Sequence, residues 1–170
     1  MIQTVSYAAA PVEVRADIVE LHRRIWRWLA EPGLWWTGVE RVAIASEVRK
    51  AGSCALCAER RAALSPYGVT GIHDAGGDLP APAVEAVHRV ASDSGRLTEA
   101  WFAKILAGDV GDAAYVELVV IIACVVAVDT FAHAVGVPAF DLPAPLAGEP
   151  SRTRPRGGYP AGRLGGYNPA

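Results

Sequence analysis

An excess of charge of either sign is missing from this chain. Its 170 residues carry 16 basic and 18 acidic side chains, a net charge of -2. No basic surface large enough to track a phosphate backbone is implied, so nucleic acid is not an expected partner. Cysteine is scarce too. Three residues, Cys54, Cys57 and Cys124, do not read as the disulfide scaffold of a small secreted domain. The N-terminus has no basic stretch leading into an apolar core and a small-residue cleavage site, so no signal peptide is expected. Long apolar runs are also lacking. The longest, Leu118 to Val128, has 11 residues and is bracketed by Glu117 and Asp129. A membrane-spanning helix needs about 20, so a buried helix is the better reading. No glycine-rich dinucleotide fingerprint or phosphate-binding loop occurs. The expectation is a soluble, cytoplasmic protein with no membrane partner.

What is present is an apolar content of 52% with only 20% charged residues, enough for a real core in one domain. Helical spacing recurs along the chain. Pro11 suits a first turn, and Val14, Ile18, Leu21 and Ile25 follow, ending at Glu31-Pro32-Gly33. A second helix is predicted from about Gly38 to Ala51, and a third from the cysteines to Leu64. Tyr67 to Leu79, with four glycines, reads as a loop. Helices resume over about 82–92, 98–106 and 112–135, the last closed by Gly136 and Pro138. An all-α domain over residues 1–140 is expected. Residues 141–170 change character, with 6 prolines, 6 glycines and four arginines. Such a tail is extended or disordered, wraps a neighbouring subunit, or serves as a basic arm.

The chemistry centres on Ser53-Cys54-Ala55-Leu56-Cys57. Two thiols three residues apart at a helix start meet unpaired backbone amides, which favour a thiolate. Ser53 is positioned to cap that helix. One thiol would attack a peroxide or disulfide and the other would close an internal disulfide. Two cysteines are half of a tetrahedral metal set, and no second Cys/His pair follows at a diagnostic spacing, so neither metal nor organic cofactor is expected. Inert packing is the remaining alternative. Glu47, seven residues before Cys54, can return toward the thiols as a proton acceptor. Asp129 and His133 share a helix face, where the carboxylate can orient a proton-relaying imidazole. Glu117, set among aliphatics, needs a partner. Cys124 reads as packing, His22 as surface or interface, and His73 and His88 show no diagnostic partner. Trp26, Trp28, Trp35 and Trp36 line a pocket or, more simply, belong to the core.

The stretch Glu40 to Cys57, ERVAIASEVRKAGSCALC, resembles the carboxymuconolactone decarboxylase-like superfamily, specifically its alkylhydroperoxidase AhpD-like members. Residues 115–136 resemble a degenerate second copy of the same helical unit. The resemblance implies an all-helical homo-oligomer, a trimer or hexamer. It also implies thiol-dependent reduction of hydroperoxides, with an external thiol or disulfide partner as reductant. Cys57 would be peroxidatic and Cys54 resolving. Two family positions differ here. Arg61 stands where the pattern has histidine, and Val42 where it has glutamate. Glu47 and His133 are therefore the expected proton relay, with Arg61 a candidate to hold a thiolate by charge. The catalytic set expected is Cys54, Cys57, Glu47 and His133. A lyase or isomerase independent of the cysteines, or a non-enzymatic helical binding protein, are the alternatives.

Overall fold

The computed structural model describes residues 5–153. Within them regular structure is helical: α1 (Ala16–Ala30), α2 (Gly38–Ala51), α3 (Ala55–Ala62), α4 (Ala81–Asp93), α5 (Glu99–Leu106) and α6 (Asp112–Ala134). Single 3-10 turns follow α3 and α4 at Pro66–Gly68 and Ser94–Arg96.

Local chemistry explains most boundaries. The α1 helix starts later than Pro11, because a turn closed by Ala10 N–H on Tyr7 C=O precedes it and Arg15 is extended. The start of α2 is a reciprocal capping box: Glu40 N–H donates to Thr37 Oγ1 (3.2 Å), and Thr37 N–H to Glu40 Oε2 (2.8 Å). Thr98 likewise accepts from Trp101 N–H at the start of α5. Gly136, at φ 73°, ends α6 as expected, with Val137 N–H reaching back to Ala132 C=O (2.9 Å). The β-branched α6 is a helix, since its own amides are paired internally and its buried residues recur at helical spacing.

The core lies where α2, α4 and α6 pack against one another. Ile44, Ala45 and Val48 of α2 meet Ala83, Val84 and Val87 of α4 and Leu118, Ile121, Ile122 and Val125 of α6. Trp36 joins this core, and its indole N–H donates to Ala114 C=O (2.9 Å). Trp26 packs in a second cluster with Val5, Tyr7, Val128 and Ala132. Trp36 and Trp26 are thus core residues, and Trp28 and Trp35 pack against the same core as Trp36.

The core also contains an ion pair. Arg41, fully buried, lies 3.4 Å from Glu117 Oε1, stacks 3.7 Å over Trp28, and donates to Glu31 C=O (2.6 Å). Glu117 accepts from Leu34 and Trp35 N–H at 3.1 and 2.7 Å. The partner that Glu117 requires is therefore Arg41 together with the α1–α2 loop.

The α6 helix has a mean hydropathy of 2.2 over its most apolar 18 residues, with one third of that window buried. By length and composition it is long and apolar enough to cross a membrane. Its inner face is core, and Val116, Val120 and Val126 are exposed on the other side.

After α6 the chain runs back without regular structure and binds its own fold. Trp26 indole N–H donates to Asp141 C=O (2.9 Å), Leu146 N–H to Ala30 C=O (2.8 Å), and Arg152 N–H to Leu34 C=O (2.8 Å). Residues 141–153 are thus an extended strap over the α1–α2 connection. The rest of the expected tail, 154–170, lies outside the described residues, as do residues 1–4.

Candidate active site

The α3 helix begins one residue later than Ser53 would allow. Cys54 occupies the N-cap with an extended backbone, and the Ser53 hydroxyl donates to Lys50 C=O instead. Asp74, from the long loop before α4, accepts from Ala55 N–H (3.2 Å) at the open helix end. Cys54 and Cys57 are both about 1% exposed and both free.

Two imidazoles converge on these sulfurs. Nδ1 of His73, from the loop, lies 3.5 Å from Cys54 Sγ and 3.6 Å from Cys57 Sγ. Nδ1 of His88, from the buried face of α4, lies 3.3 Å from Cys57 Sγ. The four ligand-type atoms all fall within 4.8 Å of one another. Each ring is held from behind. His88 Nε2 sits 3.1 Å from Glu47 Oε2, and His73 Nε2 sits 2.8 Å from Glu85 Oε2. An ionised carboxylate only accepts, so Nε2 carries the proton in both rings and the Nδ1 lone pairs face the sulfurs.

The carboxylates are anchored in turn. Glu47 Oε1 accepts from Lys50 Nζ (3.0 Å) and from Gly76 N–H (2.9 Å). Glu85 accepts from Arg60 Nη1 through both oxygens (3.1 and 2.9 Å) and from Trp101 indole N–H (3.2 Å). Arg60 Nη1 also lies 3.3 Å from His73 Nε2. Burial alone would raise the Glu85 carboxyl, yet His73 and Arg60 bring it down to about 2. Glu47 is likewise lowered: burial opposes, and the Gly76 amide, His88 and Lys50 outweigh it.

The two thiols differ. Burial works against the Cys54 thiolate, but backbone N–H groups of Asp74 and Cys57, then His73, outweigh it and bring its pKa down to about 7. Cys57 is raised to about 11: burial raises it most, a contact with Ser92 opposes this, and its neighbour Cys54 raises it further. The difference has two sources: Cys54 faces the backbone amides of Asp74, in the loop, and of Cys57, in the first turn, whereas burial dominates at Cys57.

The structure therefore brings Cys54, Cys57 and Glu47 together, with Glu47 acting on the thiols through His88. It does not bring His133 to them. His133 is exposed at the far end of α6, and its expected partner Asp129 is engaged by Arg49 in two hydrogen bonds of 2.8 Å. The arginine at the site is Arg60, one position before the expected Arg61. His73 and His88 are the residues that sequence reasoning passed over. One signal was available for His88: it follows Val84 and Val87 on the apolar face of α4, where an imidazole needs a buried partner.

A cavity of about 590 Å³ opens beside the cluster, with Arg60, His73, Glu85, Trp101 and Lys104 on its wall. His73 stands between this cavity and the sulfurs. The close thiol pair and its backed imidazoles hold the groups that thiol–disulfide chemistry requires.

No family model, curated protein or solved structure matches this chain. The fold and the site consequently rest on their own geometry.

Proposed function

We propose that this chain is an alkylhydroperoxidase-like, thiol-dependent hydroperoxide reductase. The observation that carries the reading is the pairing of each buried thiol with an imidazole whose other nitrogen is held by a carboxylate. The resemblance of residues 40–57 to the AhpD-like group supports the same conclusion.

In the proposed cycle Cys54, the more acidic thiol, attacks the terminal oxygen of the hydroperoxide. Cys54 first gives its proton to His73 Nδ1; the S–O bond then forms, the O–O bond breaks, and the alkoxide leaves as alcohol on taking that proton back from His73. Cys57 passes its proton to His88 Nδ1, with Glu47 stabilising the imidazolium through Nε2. Its sulfur then attacks Cys54, the S–S bond forms, the S–O bond breaks, and the hydroxide leaves as water on taking the proton from His88. An external dithiol reductant restores the pair by exchange. This order of attack is the reverse of the one the family resemblance implies. What supports it is that the backbone amides of Asp74 and Cys57 favour the thiolate at Cys54.

Two further features belong to the proposal. A dithiol that must be regenerated suits a reducing cytoplasm. The apolar stripe Val116, Val120 and Val126 supports a homo-oligomer assembled through the outer face of α6.

The deciding experiment treats reduced, chelator-washed protein with an organic hydroperoxide and follows the thiols by alkylation and mass spectrometry. The expected result is a Cys54–Cys57 disulfide, and a trappable sulfenic acid on Cys54 in Cys57→Ser. Thiols that stay reduced under peroxide would remove the reading. A sulfenic acid trapped on Cys57 in Cys54→Ser alone would reverse the two roles.

A further inference from the structure

The two thiols and two imidazoles have a second chemical capacity. A tetrahedral zinc ion with bonds of about 2.3 Å to sulfur and about 2.0–2.1 Å to nitrogen requires sulfur–nitrogen edges of about 3.6 Å. Three of the four sulfur–nitrogen edges are 3.5, 3.6 and 3.3 Å, and all four donor atoms lie within 4.8 Å of one another. Both rings present Nδ1 to the shared centre and give Nε2–H to a carboxylate. Metal-bound histidines are commonly oriented in this way. The side chains of all four donors are nearly inaccessible to water.

Charge points the same way. Glu47 is matched by Lys50 and Glu85 by Arg60, so the carboxylates behind the rings are already compensated. Deprotonating both thiols would leave two negative charges in a buried space, which a divalent cation cancels. Asp74 lies outside this arrangement, on the Ala55 amide.

We propose that Cys54, Cys57, His73 and His88 form a closed, four-ligand site for a borderline-soft divalent cation of the zinc class in the reduced protein. With four protein ligands the ion has no open position, so it protects the dithiol and ties the loop carrying His73 to α3 and α4. The site does not depend on the redox reading; its release step does. A hydroperoxide takes one electron from each thiolate sulfur. The S–S bond forms, the O–O bond breaks, and two protons from solvent complete an alcohol and a water. The divalent cation then leaves, because both of its sulfur ligands are consumed.

The test loads the reduced full-length chain with Co2+ alone, without oxygen, and records the visible and near-ultraviolet spectrum. One cobalt per chain is expected, with strong tetrahedral ligand-field bands and a thiolate-to-cobalt charge-transfer band, displaced by Zn2+. The signal should survive in Cys124→Ser and vanish in Cys54→Ser, Cys57→Ser and His88→Gln, with helix content checked by circular dichroism. Glu47→Gln and Glu85→Gln should each weaken binding about 10- to 100-fold, as loss of a histidine-orienting group does. A weak octahedral spectrum overturns the site. So does wild-type protein that binds equally well as the preformed disulfide, which needs no variant to fold. Cobalt that binds as described but stays bound when hydroperoxide is added overturns the release step and the proposed reductase, while the site stands.

Discussion

His88 Nε2 lies 3.1 Å from Glu47 Oε2, and both side chains are almost completely buried, on helices whose contact forms part of the core. The pair links the packing of α2 on α4 to the sulfur chemistry at the start of α3. Because Glu47 is held by Lys50 and Gly76 N–H, the ring cannot rotate away without breaking a buried network.

Proton handling should therefore fail at this pair. Glu47→Gln and His88→Gln are expected to slow peroxide-driven closure of the disulfide by about 10²-fold or more, the usual scale for a positioned acid–base group. His133→Gln should leave the rate unchanged. Stopped-flow kinetics with quenched alkylation measure all three, and a slowed His133→Gln enzyme would contradict the assignment.

Gly33 protects the buried ion pair. A Cβ at this position would overlap Glu117 Oε1 and Cδ, and Glu117 has little room to move. Gly33→Ala should displace the carboxylate from Arg41 and destabilise the fold by about 3–5 kcal/mol, the cost of leaving a buried charge unpaired. Urea unfolding gives the value, and a loss under about 1 kcal/mol would show that the pair relaxes freely.

Acid should weaken the fold through His22. Its Nδ1 lies 2.6 Å from the Tyr7 hydroxyl, and burial lowers its pKa from the ordinary 6.5. Burial, with Asp129 adding to it, raises Tyr7 to about 12, so Tyr7 is the donor and His22 the neutral acceptor. A group depressed in the folded state contributes stability above its unfolded pKa and loses it as pH falls toward the folded value. Unfolding free energy should drop as pH falls from 6.5 through that lower value. His22→Gln, which cannot titrate, should lose less over the same interval. Parallel curves for the two proteins would refute the assignment.

The outer face of α6 should determine the assembly state. Val116, Val120 and Val126 are 62%, 44% and 43% exposed in the single chain. Sedimentation velocity is expected to show particles well above the 17.9 kDa of one chain, and Val120→Glu should shift them toward the monomer. A wild-type chain that sediments as a monomer would remove the homo-oligomer from the proposal.

Much of this architecture was legible because its causes are local. Thr37 and Glu40 cap α2 across three residues, Gly136 ends α6 with its own φ, and Cys54 and Cys57 share one helical turn whatever surrounds them. Those interactions determined an all-α chain with a dithiol at a helix start. The rest is non-local. His73 and His88 stand 16 and 31 positions beyond Cys57. No periodicity links them to it, and only the docking of α4 on α2 and the return of the loop over α3 set both rings against the sulfurs. His133 read well because four residues link it to Asp129 on one helix face, yet Arg49, eighty residues before Asp129, holds that carboxylate. By itself the sequence determined the helices and placed the two thiols at the start of α3. The tertiary structure decided which imidazoles and carboxylates serve them, because side-chain partners in a helical core are selected by how helices pack rather than by their separation along the chain.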